Sequence, residues 1–584
     1  MSLEADGMVY DMSIETEDVK IPFLKKSVPY VGDTNTNANY STNEIVFDAL
    51  NFTNSGQWAD MRNGYIMIPL VITLTSSDDS VDFSAGAPTH TDFAIGLKNS
   101  NLNLINSMIF EYGTSTLVHS NPNLNQYLIF RQHTTMSEDD EMLNGPLINY
   151  ALDAPTSWQY NDTAGLQGSG ICNNVTGIGR YVYNSANGGQ IFNDGLARRQ
   201  QMFFRSTQTA PFGGRDKIFG TDDSVFKEKN VNYIVNRGSS AATKLKTYYY
   251  NAILRLKDLH PVFETMPLIR GARTKLTLKI NQCYFEVTKD ATGNLSYTAS
   301  NTQAPNGTVP LMFSASGATI TEINSLSGPT TINNSYLSGA SGLTAKTYQC
   351  SLSVVKNIWS GQKNYSDGSQ THKLTQCRLY VPMYILQTKY EAEYMGLGQQ
   401  MIKYTDVISK TIEGVVQNQE VQFNVTSSIV NPKRLIIVPI LSGSASGNGP
   451  AGATFSPVVS PFATEPSTCS PYAITNLQVQ LSSVPVYSQQ QNYTYESFLY
   501  EMNNFGIDSN LKSGVVTSRI SLMHYMNNYG YIVVNLSRKA PEEELNPVSI
   551  DVQFKQMSLL KMNYYVFVES EKSWTVNLLN GSRL

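Results

Sequence analysis

The side chains that could carry catalysis or hold a metal are few in this sequence: six histidines, five cysteines and scattered acidic clusters. His90, His119, His133, His260, His372 and His524 stand alone, with no His-Glu-x-x-His and no paired spacing for a metal. Each reads as a surface residue or a satisfied core residue. Cys172, Cys283, Cys350, Cys377 and Cys469 are odd in number and far apart, without Cys-x-x-Cys. They suggest neither a disulfide framework nor a zinc knuckle, so reduced thiols are expected. A nucleophilic triad needs no adjacency in sequence, but no Gly-x-Ser-x-Gly elbow stands out, and Cys377 reads as part of an alternating strand rather than a helix start that would stabilise a thiolate.

Other patterns imitate sites. Gly447-Asn-Gly-Pro-Ala-Gly452 fits Gly-x-Gly-x-x-Gly and follows the apolar stretch Leu435–Leu441. A dinucleotide site needs a helix to start there, whereas the next residues, Ala-Thr-Phe-Ser-Pro-Val-Val-Ser-Pro, deny one; a loop is expected. The acidic groups Ser77–Ser80, Ser137–Glu141 and Glu542–Glu544 lack the spacing and closing Glu of a calcium loop and read as solvated turns. Lys25-Lys26, Arg198-Arg199 and the basic residues of 270–279 are dispersed, and a pI near 5.8 gives no footprint for a nucleic acid. The reading is therefore no catalytic residue, no metal and no cofactor.

Composition turns attention from chemistry to surface. Asp, Glu, Lys and Arg make up 15% of 584 residues, against about 25% in a typical soluble protein, while Asn, Ser, Thr, Gln and 34 Tyr fill the gap. Interface cores lose charge and gain aromatics, whereas free monomers keep solubility through charge, so the bias leans toward an assembling subunit. The opening Met-Ser-Leu-Glu-Ala-Asp lacks the basic start and apolar stretch of a secretory signal, so the chain is expected to stay inside a cell. Sequons such as Asn51-Phe-Thr are then not acceptors. Apolar runs such as 65–74 and 435–441 are too short for the ~20 residues of a membrane helix.

The elements that position these residues show period two. Leu276, Leu278 and Ile280 alternate with Lys275, Thr277 and Lys279; Val548, Ile550, Val552 and Phe554 alternate with Ser549, Asp551, Gln553 and Lys555. Strands with one wet face read this way. Short helices are expected around Ala94–Leu104, Leu124–Gln132, Thr388–Tyr394, Tyr493–Asn503 and Arg519–Asn527. Blocks also recur in order: Glu44–Phe47 then Tyr65–Leu70 parallels Glu420–Phe423 then Leu435–Ile440. Ile105–Phe130 parallels Ile474–Tyr500, Tyr248–Ile280 parallels Tyr529–Lys555, and Arg378–Ile385 parallels Asn563–Val568. One β-domain used twice is expected: an N-terminal arm over 1–38, a first unit over 39–395 swollen by outward loops at 133–197 and 290–344, and a second over 396–584.

The strand-plus-helix block Ile474–Leu499, its counterpart Ile105–Asp140, and the run Leu254-Arg-Leu-Lys-Asp-Leu259 through Pro267–Gly271 to Leu278 resemble the double jelly-roll major capsid proteins of virophages and polinton-like viruses. The resemblance spans most of the chain. It implies two tandem eight-stranded antiparallel jelly rolls, homotrimeric pseudo-hexameric capsomers tiling an icosahedral shell, and no enzymatic activity. The implied partners are neighbouring capsomers and penton or minor capsid proteins, and the implied location is the virion, the chain being made in the host cytoplasm or nucleus. From the residues alone, a β-sandwich carbohydrate-binding protein or glycoside hydrolase, with Tyr-rich loops stacking on sugars and carboxylates across a cleft, is the alternative.

Overall fold

The computed structural model describes residues 22–34, 40, 43–48, 56–76, 94–152, 158–159, 180–181, 199, 233–236, 245–289, 295–301, 309–314, 320–323, 332–334, 346–354, 376–441, 474–503, 519–527, 529–537, 546–558 and 561–578. Two tandem jelly rolls account for most of them. The strands of roll one are β1 (Tyr30–Gly32), β2 (Glu44–Asp48), β3 (Tyr65–Ser76), β4 (Ile105–Tyr112), β5 (Ser115–Val118), β6 (Leu245–Arg255), β7 (Thr274–Ile280) and β8 (Arg378–Tyr380). Those of roll two are β9 (Gln399–Val415), β10 (Glu420–Ile429), β11 (Pro432–Leu441), β12 (Ile474–Leu481), β13 (Val484–Pro485), β14 (Ile532–Asn535), β15 (Val548–Gln556) and β16 (Met562–Asn577).

Their pairing carries the duplication. Roll one places β1-β8-β3-β6 in one sheet and β2-β7-β4-β5 in the other; roll two places β9-β16-β11-β14 and β10-β15-β12-β13. Adding eight to every strand of roll one gives roll two. All these pairings are antiparallel. Each of the four repeated sequence blocks falls on corresponding strands.

Burial follows the alternation that the sequence predicts. In β15, Val548, Ile550, Val552 and Phe554 are buried while the residues between them are half-buried. In β7, Leu276, Leu278 and Ile280 are buried, but so is Thr277, which the alternation puts on the wet face; each buried apolar side chain contributes roughly 1.5–3 kcal/mol of transfer free energy. The hairpins β4–β5 and β12–β13 turn in two residues. Gly113 takes φ 63° in the first, and Ser482 and Ser483 take φ 47° and 71° in the second, the positive values that tight hairpins require.

Roll one is enlarged. Lys346–Val354 pairs with the far end of β3, and Cys283–Lys289 and Leu295–Asn301 extend the sheet beyond it, while Tyr233–Asn236 borders β6. Strands Leu295–Asn301 and Leu311–Ser314 thus lie inside 290–344, a stretch expected to be loop. Phe23–Ser27 and β1, from the segment expected to be an arm, pair with Met383–Leu386 and β8.

The helices are α1 (Leu124–Thr135), α2 (Glu138–Ile148), α3 (Leu256–Leu259), α4 (Pro261–Thr265), α5 (Thr388–Gly396), α6 (Tyr495–Asn503) and α7 (Leu522–Asn527). The expected helix at Ala94–Leu104 is instead a strand, Ala94–Leu97, paired with Leu311–Ser314, and a 3-10 turn at Asn101–Leu104 capped by Ser100; a distant strand overrides local propensity. Ser137–Glu141 is no solvated turn. Ser137 and Asp140 form a capping box that starts α2, so four acidic residues occupy a first helical turn, where the helix dipole favours them. Cys377 lies one residue before β8 rather than within a strand.

Candidate functional site: the seam between the rolls

A buried polar constellation lies where roll one meets roll two, and α1 is its wedge. Ten of its twelve residues are buried, which a helix achieves only with neighbours on all sides. The neighbour from roll two is β16, buried over nine consecutive residues from Met562 to Ser570. A strand covered on one face alternates; one covered on both does not. Tyr564 packs edge-on to Phe554 inside roll two, and Phe567 lies 5.8 Å from Tyr127 of α1.

At the centre is a buried carboxylate. Glu569 is 3% exposed. It accepts a hydrogen bond from the Tyr127 hydroxyl at 2.7 Å and a two-pronged one from Arg434, whose Nη2 stands 2.9 Å from Oε1 while its Nε reaches Oε2. The Arg434 guanidinium in turn lies 5.8 Å from the Phe130 ring. Arginine suits this place because its planar fork matches the carboxylate and its face stacks on an aromatic ring. Burial first, and then the Glu569 charge, raise the Tyr127 phenol well above its ordinary range, so it remains a donor.

A second group joins α4 to β9. His260 caps α4, its Nδ1 accepting from the Val262 amide at 3.2 Å, so the proton of the neutral ring sits on Nε2, 3.4 Å from Asp406 Oδ1. Lys572 of β16 donates to the other oxygen of Asp406. Burial holds the His260 ring below its usual pKa, against the pull of Asp406. Burial also pushes the Asp406 carboxyl up, but the His260 ring beside one oxygen and the positively charged Lys572 bonded to the other outweigh it and hold it low. A His–Asp pair is the skeleton of a general base, yet these side chains are 2% and 4% exposed and offer no surface to a substrate. What the pair can do is fix the angle of one roll on the other.

The remaining contacts repeat that theme. Asn121 donates to the Val407 carbonyl at 2.7 Å and accepts from the Ser409 amide at 3.3 Å, and Tyr404 donates to the Leu117 carbonyl. Tyr112 packs on Trp574 at 4.7 Å. Arg519, just before α7, pairs with the buried Glu141 of α2. His133, buried at the end of α1, has its Nδ1 2.9 Å from the Tyr531 hydroxyl, and burial holds its pKa well below 6.5.

Of the residues singled out from sequence, His133, His260 and Glu141 lie in the seam, and the others do not join them. His119 is exposed and His524 half-buried beside Ser521; His90, His372, Ser77–Ser80, Gly447–Gly452 and Glu542–Glu544 lie outside the described residues. The basic stretch 270–279 is neutralised locally: Arg270 pairs with Glu391, Arg273 with Asp48 at 2.6 Å, and Lys275 with Glu111 at 3.4 Å. Among the described residues no three His, Cys, Asp or Glu side chains group as metal ligands, and no helix is long and apolar enough to cross a membrane. The seam residues Tyr127, Asp406, Arg434, Glu569 and Lys572 escape sequence reading, and His260 shows there only as an isolated histidine. Their one local signal is the unbroken run Tyr-Tyr-Val-Phe-Val-Glu at 564–569, which does not alternate.

No protein-family model matches the chain, and no curated protein does. Solved structures do. Over nearly its whole length the chain is similar to viral major capsid proteins. A chain of the cryo-electron-microscopy structure of the Sputnik virophage matches with a TM-score of 0.49 at 11% identity, over 96% of this chain and 88% of that one. The mavirus major capsid protein matches at 0.44 and 10%, over 96% and 89%. The Faustovirus major capsid protein matches at 0.39 and 10%, over 96% and 93%.

Proposed function

We propose that the chain is a major capsid protein, a structural subunit of a virion with no catalytic role. The observation that carries this reading is the duplication by eight: one strand order is built twice in one chain, and the two copies are locked side by side by a buried polar seam. Two like sandwiches at a fixed angle supply two of the six positions round a ring. Three chains then close a pseudo-hexagonal trimer, and closure stops growth at three. Such trimers tile an icosahedral shell, with neighbouring capsomers and penton or minor capsid proteins as partners. The low charge content suits a subunit whose sides are covered by neighbours.

The proposed division is an arm over 1–38 whose strand β1 completes a sheet of roll one, roll one itself over 39–395 and roll two over 396–584. Support for the second boundary comes from α5, which ends at Gly396 just before β9. Sedimentation of the purified full chain at micromolar concentration tests the reading: a species of three times the chain mass is expected, and a monodisperse monomer sinks it.

A further inference from the structure

The duplication makes the seam a template for a contact that one chain leaves open. Helix α6 follows β13 in roll two as α1 follows β5 in roll one. Counted from their first helical residues, Leu124 and Tyr495, Tyr127-Leu128-Ile129 corresponds to Phe498-Leu499-Tyr500. Tyr127 and Phe498 are both buried, at 1% and 0% exposure. Their companions differ sharply: Ile129 is 0% exposed, while Tyr500 is 66% exposed. Beside α6, α7 leaves Leu522, Met523 and Met526 half-exposed, and the two helices are held together by Phe498 and Tyr525 at 5.1 Å.

The surface that α1 covers on roll two has its counterpart on roll one. There β3 and β6 occupy the places of β11 and β14. On their outward side Tyr65, Met67, Ile253 and Arg255, with Arg62 and Lys257, line a cleft of about 440 Å³. Its floor is apolar and its charged members are cationic; Arg255 is already held by both oxygens of Asp258, which leaves Arg62 and Lys257 to meet an anion. Arg434 meets Phe130 in the covered sheet; by the repeat that pairs Tyr65–Leu70 with Leu435–Ile440, its place in roll one is taken by Gly64, which lines the cleft. One turn before Tyr500, on the same stripe of α6, Glu496 is exposed, an anion to match those cations.

We infer that α6 of one copy of this chain seats in the roll-one cleft of the next copy, Tyr500 entering the cleft and Glu496 facing its cations. The partner is a second copy of the same chain. The contact is head-to-tail, the kind that yields a closed ring rather than an isolated pair. The inference rests on the capsid reading and adds to it the surfaces that join one subunit to the next.

Sedimentation of full-length variants tests it. Tyr500→Arg sets a cation against cations on an exposed site, and Met67→Arg fills with a long charged side chain the apolar space that Tyr500 would enter. Each is expected to raise the concentration of half-dissociation of the trimer at least tenfold with an unchanged circular dichroism spectrum. Tyr500→Cys with Met67→Cys in one chain should give oxidant-dependent covalent dimers and trimers on a denaturing gel, and neither single variant should; this cross-link decides the matter if an arginine variant misfolds. A trimeric wild type whose Cys pair does not cross-link, and which stays trimeric with Tyr500→Arg, overturns the inference and leaves the capsid reading standing. A monomeric wild type overturns both.

Discussion

Removing Arg434 leaves the Glu569 carboxylate buried with the Tyr127 hydroxyl as its remaining partner from that network. Stripping one member from a buried pair costs about 3–5 kcal/mol, because the other charge stays out of water. Arg434→Met, similar in length and apolar, should therefore cost about that much, over a hundredfold in the folding equilibrium. Adding Glu569→Leu removes the stranded charge but strands the Tyr127 hydroxyl, worth roughly 1–3 kcal/mol. Adding Tyr127→Phe removes that too, and a seam without buried charge should return to within about 1–2 kcal/mol of wild type. Urea unfolding of the series, followed by circular dichroism and fluorescence, reads the three steps. A single variant costing under about 1 kcal/mol, against the 3–5 of a buried pair, refutes the reasoning. So does a triple variant less stable than Arg434→Met, since the cost would then come from packing rather than charge.

Acid should loosen the same seam in two stages. The folded state holds His133 and His260 neutral, with pKa values below 6.5. The unfolded chain therefore takes up protons first, so their contribution is complete above pH 6.5 and lost as pH falls below it. Asp406, held below 3.8 in the fold, adds stability that is lost as pH falls below that value. The slope of unfolding free energy between pH 6.5 and 5 should flatten in a His133→Gln, His260→Gln double variant, and an unchanged slope counts against neutral burial. The thiols give a simpler test. Cys283 and Cys377 are buried, and burial pushes the Cys283 thiol up to about 12, so a thiol reagent at pH 8 should label at most three of the five cysteines before urea is added and all five after.

What the sequence determined by itself is what depends on neighbours along the chain. Side chains two apart share a face of a strand, so the alternation at 274–280 and 548–556 shows in the letters, and so does the order in which blocks repeat. Helices α1, α5, α6 and α7 were legible for the same reason, and the capping box at Ser137 and Asp140 was there to be read as a helix start rather than a turn. Only the tertiary structure decided the seam. Tyr127 and Glu569 stand 442 residues apart, and Arg434 and Glu569 stand 135 apart. No local periodicity links such residues, because their meeting depends on how one finished sheet lies against a helix of the other roll. The unbroken apolar run in β16 announces that something covers its second face; what covers it, and that a glutamate is buried there with an arginine and a tyrosine, follows from the docking of two units that the chain builds alike. On the proposed capsid reading, the scarcity of charge that is plain in the composition has the same cause at larger scale: faces covered by neighbouring subunits shed charge.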